Sequence, residues 1–417
     1  MRVHDYVITI PDGKDVYLYN TYNCSLISIE KECFDNGELI NLTQEEVDTL
    51  NDFDFFKDEN EILKEIYIRR SNDRRLLDVT ISFTQSCMLN CSYCSQEDSR
   101  DKVGIAYSVL DDLVEYISNV LKNEHYERLG INLFGGEPLI EKDKILYFKN
   151  ELEKCIDSSI ISYGIGTNGV LLTPDFLKKF NQLNICVTLS LKNDHDKNRA
   201  FIDGSGSYER IVSNLISCND QFGDAKKLNI RYNVGGNNYN DFETFLSLLK
   251  ELNLNVNNIE LAYTEEFDYT GYTNGLNKDE YSDWYINKAI DLLIKYGYRI
   301  WFPTPCLYTC KAYNPHALKV FPDGCIAACN GQKYKNRKES ISLVKNNISL
   351  TKEILADAKK DLLITEECKR CKYLLVCGGK YLCKKDDCTN FIDYSLEDFL
   401  KKYIRLTEEG KADCFDL

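Results

Sequence analysis

Cys87, Cys91 and Cys94 lie within TQSCMLNCSYCSQ at a CxxxCxxC spacing. Three thiolates without a fourth fall short of the ligand set that a structural zinc ion takes. They can hold a cubane iron–sulfur cluster by three corners and leave one iron open to a ligand that is not protein. A zinc or an unligated site is the alternative. Further polar or glycine-rich clusters follow: GGEPL (Gly135 to Leu139), TNG (Thr167 to Gly169), SLKNDHDKNR (Ser190 to Arg199), GGNN and TEE, which includes Glu265 and Glu266. Taken singly, TNG, GGNN and TEE read equally well as turns.

The segments between these clusters explain how they could meet. From about residue 76 the chain alternates predicted strands with amphipathic helical patterns. The strands are LLDVTISFT, LGINLFG, IISYGIGT, ICVTLSL, LNIRYNV and NIELAYT. The helical patterns are YSVLDDLVEYISNVLKNE, EKDKILYFKNELEKCI, TPDFLKKFNQL, SYERIVSNLISC, YNDFETFLSLLKEL and DEYSDWYINKAIDLLIKYG. Such βα repeats imply a parallel sheet with right-handed crossovers, an incomplete (β/α)6 barrel of the TIM type. Each cluster then follows one strand, so all six fall on one rim, where parallel barrels place their chemistry. Residues 1–75 mix strand-like runs (HDYVITI, DVYLYN, SLISI) with LTQEEVDTLNDFDFF and read as a small α+β module. The division expected is thus 1–75, a barrel over 76–300, and a cysteine-rich region over 301–417 that carries a helix at SLEDFLKKYIRL.

CxxxCxxC after a first strand, Tyr93 before the third cysteine and GGEP after the second strand together resemble the radical S-adenosylmethionine superfamily. The resemblance implies a [4Fe–4S] cluster on Cys87, Cys91 and Cys94 whose open iron is chelated by S-adenosylmethionine. Reductive cleavage of that cofactor then yields a 5′-deoxyadenosyl radical that takes hydrogen from the substrate. Cofactor contacts are implied at Tyr93, Gly135, Gly136, Glu137, Pro138, Ser190 and Arg199. The glycines would let the main chain approach the cofactor's ammonium, Glu137 would add an acceptor for it, and Pro138 would stiffen the turn. Arg199 would clamp a carboxylate by charge-assisted hydrogen bonds, or else it is a surface charge. His195 reads as a loop or capping residue as readily as a functional one.

Eighteen cysteines are far more than a chain of 417 residues ordinarily holds. Those from Cys306 onward include a C-x13-G-x4-C element (Cys310, Gly324, Cys329) and a CxxCx5C element (Cys368, Cys371, Cys377). Together they resemble the SPASM domain, which implies two auxiliary [4Fe–4S] clusters. The first would take Cys306, Cys310 and Cys329, with Cys383 as a displaced fourth ligand; the second would take Cys368, Cys371, Cys377 and Cys388. Tyr381 stands where the family pattern has its next cysteine, and zinc is the alternative metal for these knuckles. Cys24, Cys33, Cys155, Cys186 and Cys218 stand apart and read as small buried hydrophobes.

The net charge of −15 disfavours a nucleic-acid partner. No apolar run approaches the roughly 18 residues of a membrane span. The start lacks a basic segment followed by an apolar one, and so many thiolates suit a reducing, anaerobic cytoplasm. By resemblance, the substrate is a ribosomally made precursor peptide, its leader gripped by the N-terminal module through strand addition. The outcome is a thioether or carbon–carbon crosslink, with a flavodoxin- or ferredoxin-type electron donor. Sulfatase maturation and peptide epimerisation are the neighbouring alternatives. Asn330, rather than an aspartate, follows Cys329 and argues against the former. A zinc-dependent peptide-binding protein is the alternative outside enzymes.

Overall fold

A computed structural model describes residues 1–35, 37–94, 103–264, 276–305, 314–327, 366–378 and 394–416. Packing sorts them into two units. One holds the described residues of 1–73 and 278–314 together with 366–378 and 394–416; the other holds those of 74–277 and 315–327. This is not the linear succession expected at residue 300, because chain beyond that point returns to the barrel sheet.

In the first unit, β1 (Val7–Asp12), β2 (Asp15–Asn20) and β3 (Leu26–Glu30) form an antiparallel sheet in the order β1-β2-β3. A two-residue hairpin, β4 (Phe34–Asp35) and β5 (Glu38–Leu39), follows. Helix α1 (Gln44–Asp52) starts in a capping box: Thr43 Oγ1 accepts from the Glu46 N–H at 3.3 Å, and Glu46 accepts from the Thr43 N–H at 2.7 Å. Val7, Val16, Leu18, Ile29, Leu50 and Phe55 make the small core between sheet and helix. Helix α2 (Glu59–Asn72), which the sequence pattern had not indicated, is capped by Asp58. Its buried stripe is reduced to residues such as Ile62 and Ile66 among many charges.

In the second unit the six expected strands form. They are β6 (Leu77–Ser82), β7 (Leu129–Phe134), β8 (Ile161–Thr167), β9 (Leu183–Thr188), β10 (Lys226–Val234) and β11 (Val256–Tyr263), all parallel and in sequence order. Helices fill the crossovers: α3 (Tyr107–Glu124), α4 (Lys142–Cys155), α5 (Pro174–Leu177), α6 (Lys192–Asn198), α7 (Tyr208–Cys218) and α8 (Phe242–Glu251). Their buried positions recur at helical spacing, as in Ile145, Phe148 and Leu152, which is why these segments coil rather than extend. This is the incomplete barrel expected from the sequence, but α5 is one turn rather than three. Thr173 caps it and Pro174 opens it, and after Phe180 the chain is drawn into β9, where Leu183 already pairs with Lys226.

The sixth helical pattern belongs to the first unit and is broken into α9 (Lys278–Trp284), a π turn at Tyr285–Ala289 and α10 (Ile290–Lys295). Strand β12 (Ile300–Trp301) follows in the same unit. Back in the second unit, β13 (Ala317–Val320) pairs in parallel with β6, and β14 (Ile326–Ala327) pairs antiparallel with β13. The sheet thus has eight strands, in the order β11-β10-β9-β8-β7-β6-β13-β14. In the first unit again, the expected C-terminal helix spans Leu396–Glu408, and β15 (Phe415–Asp416) pairs with β12. Among the described residues no helix is long and apolar enough to cross a membrane.

Candidate active site

Strand alternation sends Ile131, Leu133, Ile185 and Val187 to one buried face of the barrel sheet. Asp78, Asn132, Cys186, Thr188, Arg231 and Glu260 fall on the other. That second face is polar and internally paired. Asn132 Nδ2 donates to Asp78 Oδ1 at 2.6 Å, and Arg231 pairs with Glu260 at 2.7 Å while donating to Asn233 at 3.2 Å. Cys186 Sγ lies 3.7 Å from Glu260 Oε2, and burial with the nearby Glu260 charge pushes its thiol up to about 12. Cys186 is therefore not the buried hydrophobe expected of it. Of the five isolated cysteines only Cys218 is fully buried, and Cys155 is exposed.

The three cysteines of the opening motif are half-buried on the loop that leaves β6. That loop has no regular structure of its own, so neighbouring main chain fixes it. On one side, Gly136 N–H donates to Thr84 O at 2.9 Å and Glu137 N–H to Ser86 O at 2.8 Å. On the other, Asn90 N–H donates to Ala200 O at 2.8 Å, Ser92 N–H to Asn198 O at 2.9 Å, and Ile202 N–H to Met88 O at 3.1 Å. A Cβ on Gly135 would stand 2.5 Å from Thr84 O, and one on Gly136 would stand 2.4 Å from Ser86 O. Gly135 also has φ +154. The main chain before Cys87 thus by itself requires glycine at both positions.

Glu137 is fully buried. Its Oε1 accepts from Thr167 Oγ1 at 2.7 Å and the Leu139 N–H at 3.1 Å, and its Oε2 accepts from the Asn168 N–H at 2.7 Å. Burial raises its pKa against the pull of these donors. Its visible work is to hold the exit of β8 beside the exit of β7, with Pro138 opening the turn that follows. Asn168, so placed, points its amide at Cys87 Sγ (3.7 Å) and Met88 Sδ (3.2 Å), and Leu89 N–H donates to Cys87 Sγ at 3.5 Å. Burial raises the Cys87 pKa and these donors pull against it; donors aimed at a sulfur would also tune a cluster that it ligates. Asn168 was missed at the sequence level because TNG is also ordinary turn chemistry.

Arg199 is buried rather than a surface charge. Burial alone would lower its pKa, but Cys91 and the hydrogen-bonded Tyr93 raise it. Its Nε has no hydrogen-bond partner among the described residues, so a buried cationic donor stands beside the cysteine loop, as a carboxylate ligand would require. Tyr93 also bonds Asn233, at the end of β10. Ser190 is buried just past β9.

His195, on α6, is fully buried and holds Arg199 in place. Arg199 N–H donates to His195 O at 2.7 Å, and Ser207 Oγ donates to Arg199 O at 2.6 Å. Ser207's single proton is thereby used, so its contact with His195 Nε2 at 3.2 Å makes Nε2 the donor. Burial, helped by the Arg199 charge, lowers His195 to about 3.

The residues present fit the cluster and its cofactor: three cysteines, N–H donors to one of them, and a buried guanidinium whose Nε has no partner among the described residues. Among the described residues no three His, Cys, Asp or Glu side chains surround the point that one metal ion would occupy. A cubane instead takes its thiolates at separate corners. Cys368, Cys371 and Cys377 lie on one short knuckle of the first unit. Cys306, Cys310, Cys329, Cys383 and Cys388, with Asn330, Tyr381, Glu265 and Glu266, lie outside the described residues.

Residues 81–249 match the family model described as the Radical SAM superfamily. The chain is 24% identical to the radical SAM cyclopropyl synthase TigE of Paramaledivibacter caminithermalis, over 96% of this chain and 87% of that protein. Among solved structures, native anSMEcpe with bound AdoMet matches with a TM-score of 0.60 at 18% identity, over 80% of this chain and 96% of that one. Streptococcus suis SuiB bound to precursor peptide SuiA matches with a TM-score of 0.54 at 15% identity, over 94% and 98%. At these identities the two structures speak for the fold.

Two outcomes test this geometry. Gly136→Ala forces the strand exit off the main chain before Cys87, an overpacking that costs roughly 1–3 kcal/mol. It is expected to lower iron retention after anaerobic reconstitution, and wild-type retention would contradict the assignment. The lowered pKa of His195 means that the unfolded chain binds a proton which the folded chain refuses until about pH 3. Stability from this group is therefore full above pH 6.5 and lost as pH falls. The loss amounts to about 1.5 kcal/mol between pH 6.5 and 5. Urea unfolding of wild type and His195→Gln at the two pH values checks this, the variant losing less.

Proposed function

We propose, from the match of residues 81–249 to the Radical SAM superfamily model, that the chain oxidatively crosslinks a ribosomally made precursor peptide. Cys87, Cys91 and Cys94 would hold a [4Fe–4S] cluster with S-adenosylmethionine at its open iron, and the bound pair would supply radical abstraction of a substrate hydrogen. Arg199 clamps the cofactor's carboxylate, positioned by His195 and Ser207, while Tyr93 orients the guanidinium. Ser190 and the Gly135–Pro138 turn line the same rim. The observation that carries this reading is the buried Arg199 guanidinium beside Tyr93 and Cys91, its Nε engaged by no described residue.

A peptide substrate is supported by SuiB, whose solved structure bound to precursor peptide SuiA matches 94% of this chain. The N-terminal sheet ends in β3, a strand paired on one side only among the described residues. A leader peptide could add there through main-chain hydrogen bonds. Auxiliary clusters on Cys306, Cys310, Cys329 and Cys383, and on Cys368, Cys371, Cys377 and Cys388, would accept the electron left after hydrogen abstraction. The overall change would remove two hydrogens from the peptide, one as a hydrogen atom and the other as a proton whose electron passes to the protein. A flavodoxin- or ferredoxin-type donor supplies the electron that starts the cycle.

Cys186 favours a second reading, epimerisation. Its thiol stays protonated on the polar face of the sheet, where it could return a hydrogen atom to the opposite side of a substrate radical.

The test is anaerobic incubation with S-adenosylmethionine, dithionite and candidate precursor peptides, taken from any short reading frame found beside the gene. Crosslinking predicts 5′-deoxyadenosine and a product lighter by two hydrogens. An unchanged mass in ordinary water, with one solvent deuteron incorporated in heavy water and dependence on Cys186, would establish epimerisation instead. Cofactor cleavage with no peptide product would overturn both. Arg199→Lys, which loses the planar fork, is expected to weaken cofactor binding by about 1.5–3 kcal/mol, roughly tenfold to 150-fold, by calorimetry at unchanged iron content.

A further inference from the structure

The knuckle that bears Cys368, Cys371 and Cys377 consists of two single helical turns, Glu366–Lys369 and Leu374–Cys377. A segment this short cannot form a core of its own or sustain isolated helical turns. It borrows its core from the N-terminal module of the same unit: Cys368, Leu374 and Leu375 are buried against Tyr6, Tyr22, Ile62 and Ile66.

The polar contacts are more specific than the packing. Tyr6 Oη donates to Lys369 O at 2.6 Å. Thr21 Oγ1 lies 3.2 Å from Lys372 O, sharing its proton with Tyr6 O at 2.7 Å. Arg70 Nη2 donates to Gly378 O at 3.3 Å. Lys369, Lys372 and Gly378 are the residues that follow Cys368, Cys371 and Cys377. Each cysteine thus has the next carbonyl held by a side chain from the first 70 residues. All three anchors are largely out of water: Tyr6, Thr21 and Arg70 are 0%, 0% and 6% exposed. A buried hydroxyl or guanidinium committed to a main-chain oxygen is a strong constraint, since breaking the bond leaves both partners unsatisfied.

We propose that the N-terminal module is the scaffold of the auxiliary metal centre, with Tyr6, Thr21 and Arg70 as positioning residues that set the three sulfurs. This rests on the reading of Cys368, Cys371 and Cys377 as ligands. It gives the module a role distinct from gripping a leader, so that removing residues 1–75 disables the metal centre as well as peptide recognition. Arg70 has a second effect. A cation held at the carbonyl of Gly378, the residue after Cys377, would stabilise the more negative, reduced form of a cluster and raise its midpoint potential.

The test uses the full chain, reconstituted anaerobically, with iron and zinc analysis, electron paramagnetic resonance and redox titration. Cys368, Cys371 and Cys377 replaced together by alanine should lose about four irons; no loss of metal there would defeat the ligand reading itself. With that loss in hand, Tyr6→Phe and Thr21→Val, which keep shape and remove a hydroxyl, should weaken metal retention at this centre by about tenfold each against a chelator, in the range for outer partners of metal ligands. Thr21→Ser should restore it, and Arg70→Met should shift the midpoint potential downward. Iron bound to Cys87, Cys91 and Cys94 should be unaffected. Wild-type retention and potential in these variants would overturn the proposal while leaving the ligand reading in place.

Discussion

The site depends on one constraint, the main-chain bonding that grips the cysteine loop from both sides. Residues 87–94 hold the three cysteines of the motif but make no helix or strand. They lie where they do because Gly136 and Glu137 bond the carbonyls before them, and residues 198–202 run alongside them. A sheet of parallel strands brings those exits together, but only glycine at 135 and 136 lets them close to bonding distance. The barrel is thus a means of bringing three separate loops within hydrogen-bond reach of one another.

Electrostatics follow from that closure. The rim buries a carboxylate, Glu137, and a guanidinium, Arg199, and gives each a different task. Glu137 spends its acceptors on Thr167, Leu139 and Asn168, which converts a buried charge into rigid geometry. Arg199 keeps a donor unengaged by any described residue, and His195 and Ser207 fix its backbone. A buried ion left without a full set of partners is costly, so a buried guanidinium with an unpartnered Nε argues for a ligand of opposite charge.

Much of this was legible in the sequence because it is local. The cysteine spacing, GGEP and the alternation of six strands with amphipathic helices each announce themselves within a short window. What escaped is non-local or chemically ambiguous. Ala317–Val320 is four residues framed by Pro315 and Pro322, and only its pairing with β6 makes it a strand. Asn168 looks like any turn asparagine until Glu137 orients it. Arg199 reads as a surface charge or as a clamp with equal ease, and burial alone decides. Helix α2 hides its function as well as its fold: Arg70 looks like one more surface cation, yet it reaches Gly378 O.

The central claim is that the loop at Cys87, Cys91 and Cys94 presents an open iron to S-adenosylmethionine. Electron–nuclear double resonance on the reduced, reconstituted chain, with the cofactor's amino nitrogen and carboxylate carbon isotopically labelled, tests it most directly. The account predicts hyperfine coupling of both labels to a [4Fe–4S] signal that disappears when the three cysteines are replaced by alanine. A cluster signal with no coupling to either label, or one that survives loss of those cysteines, would contradict it.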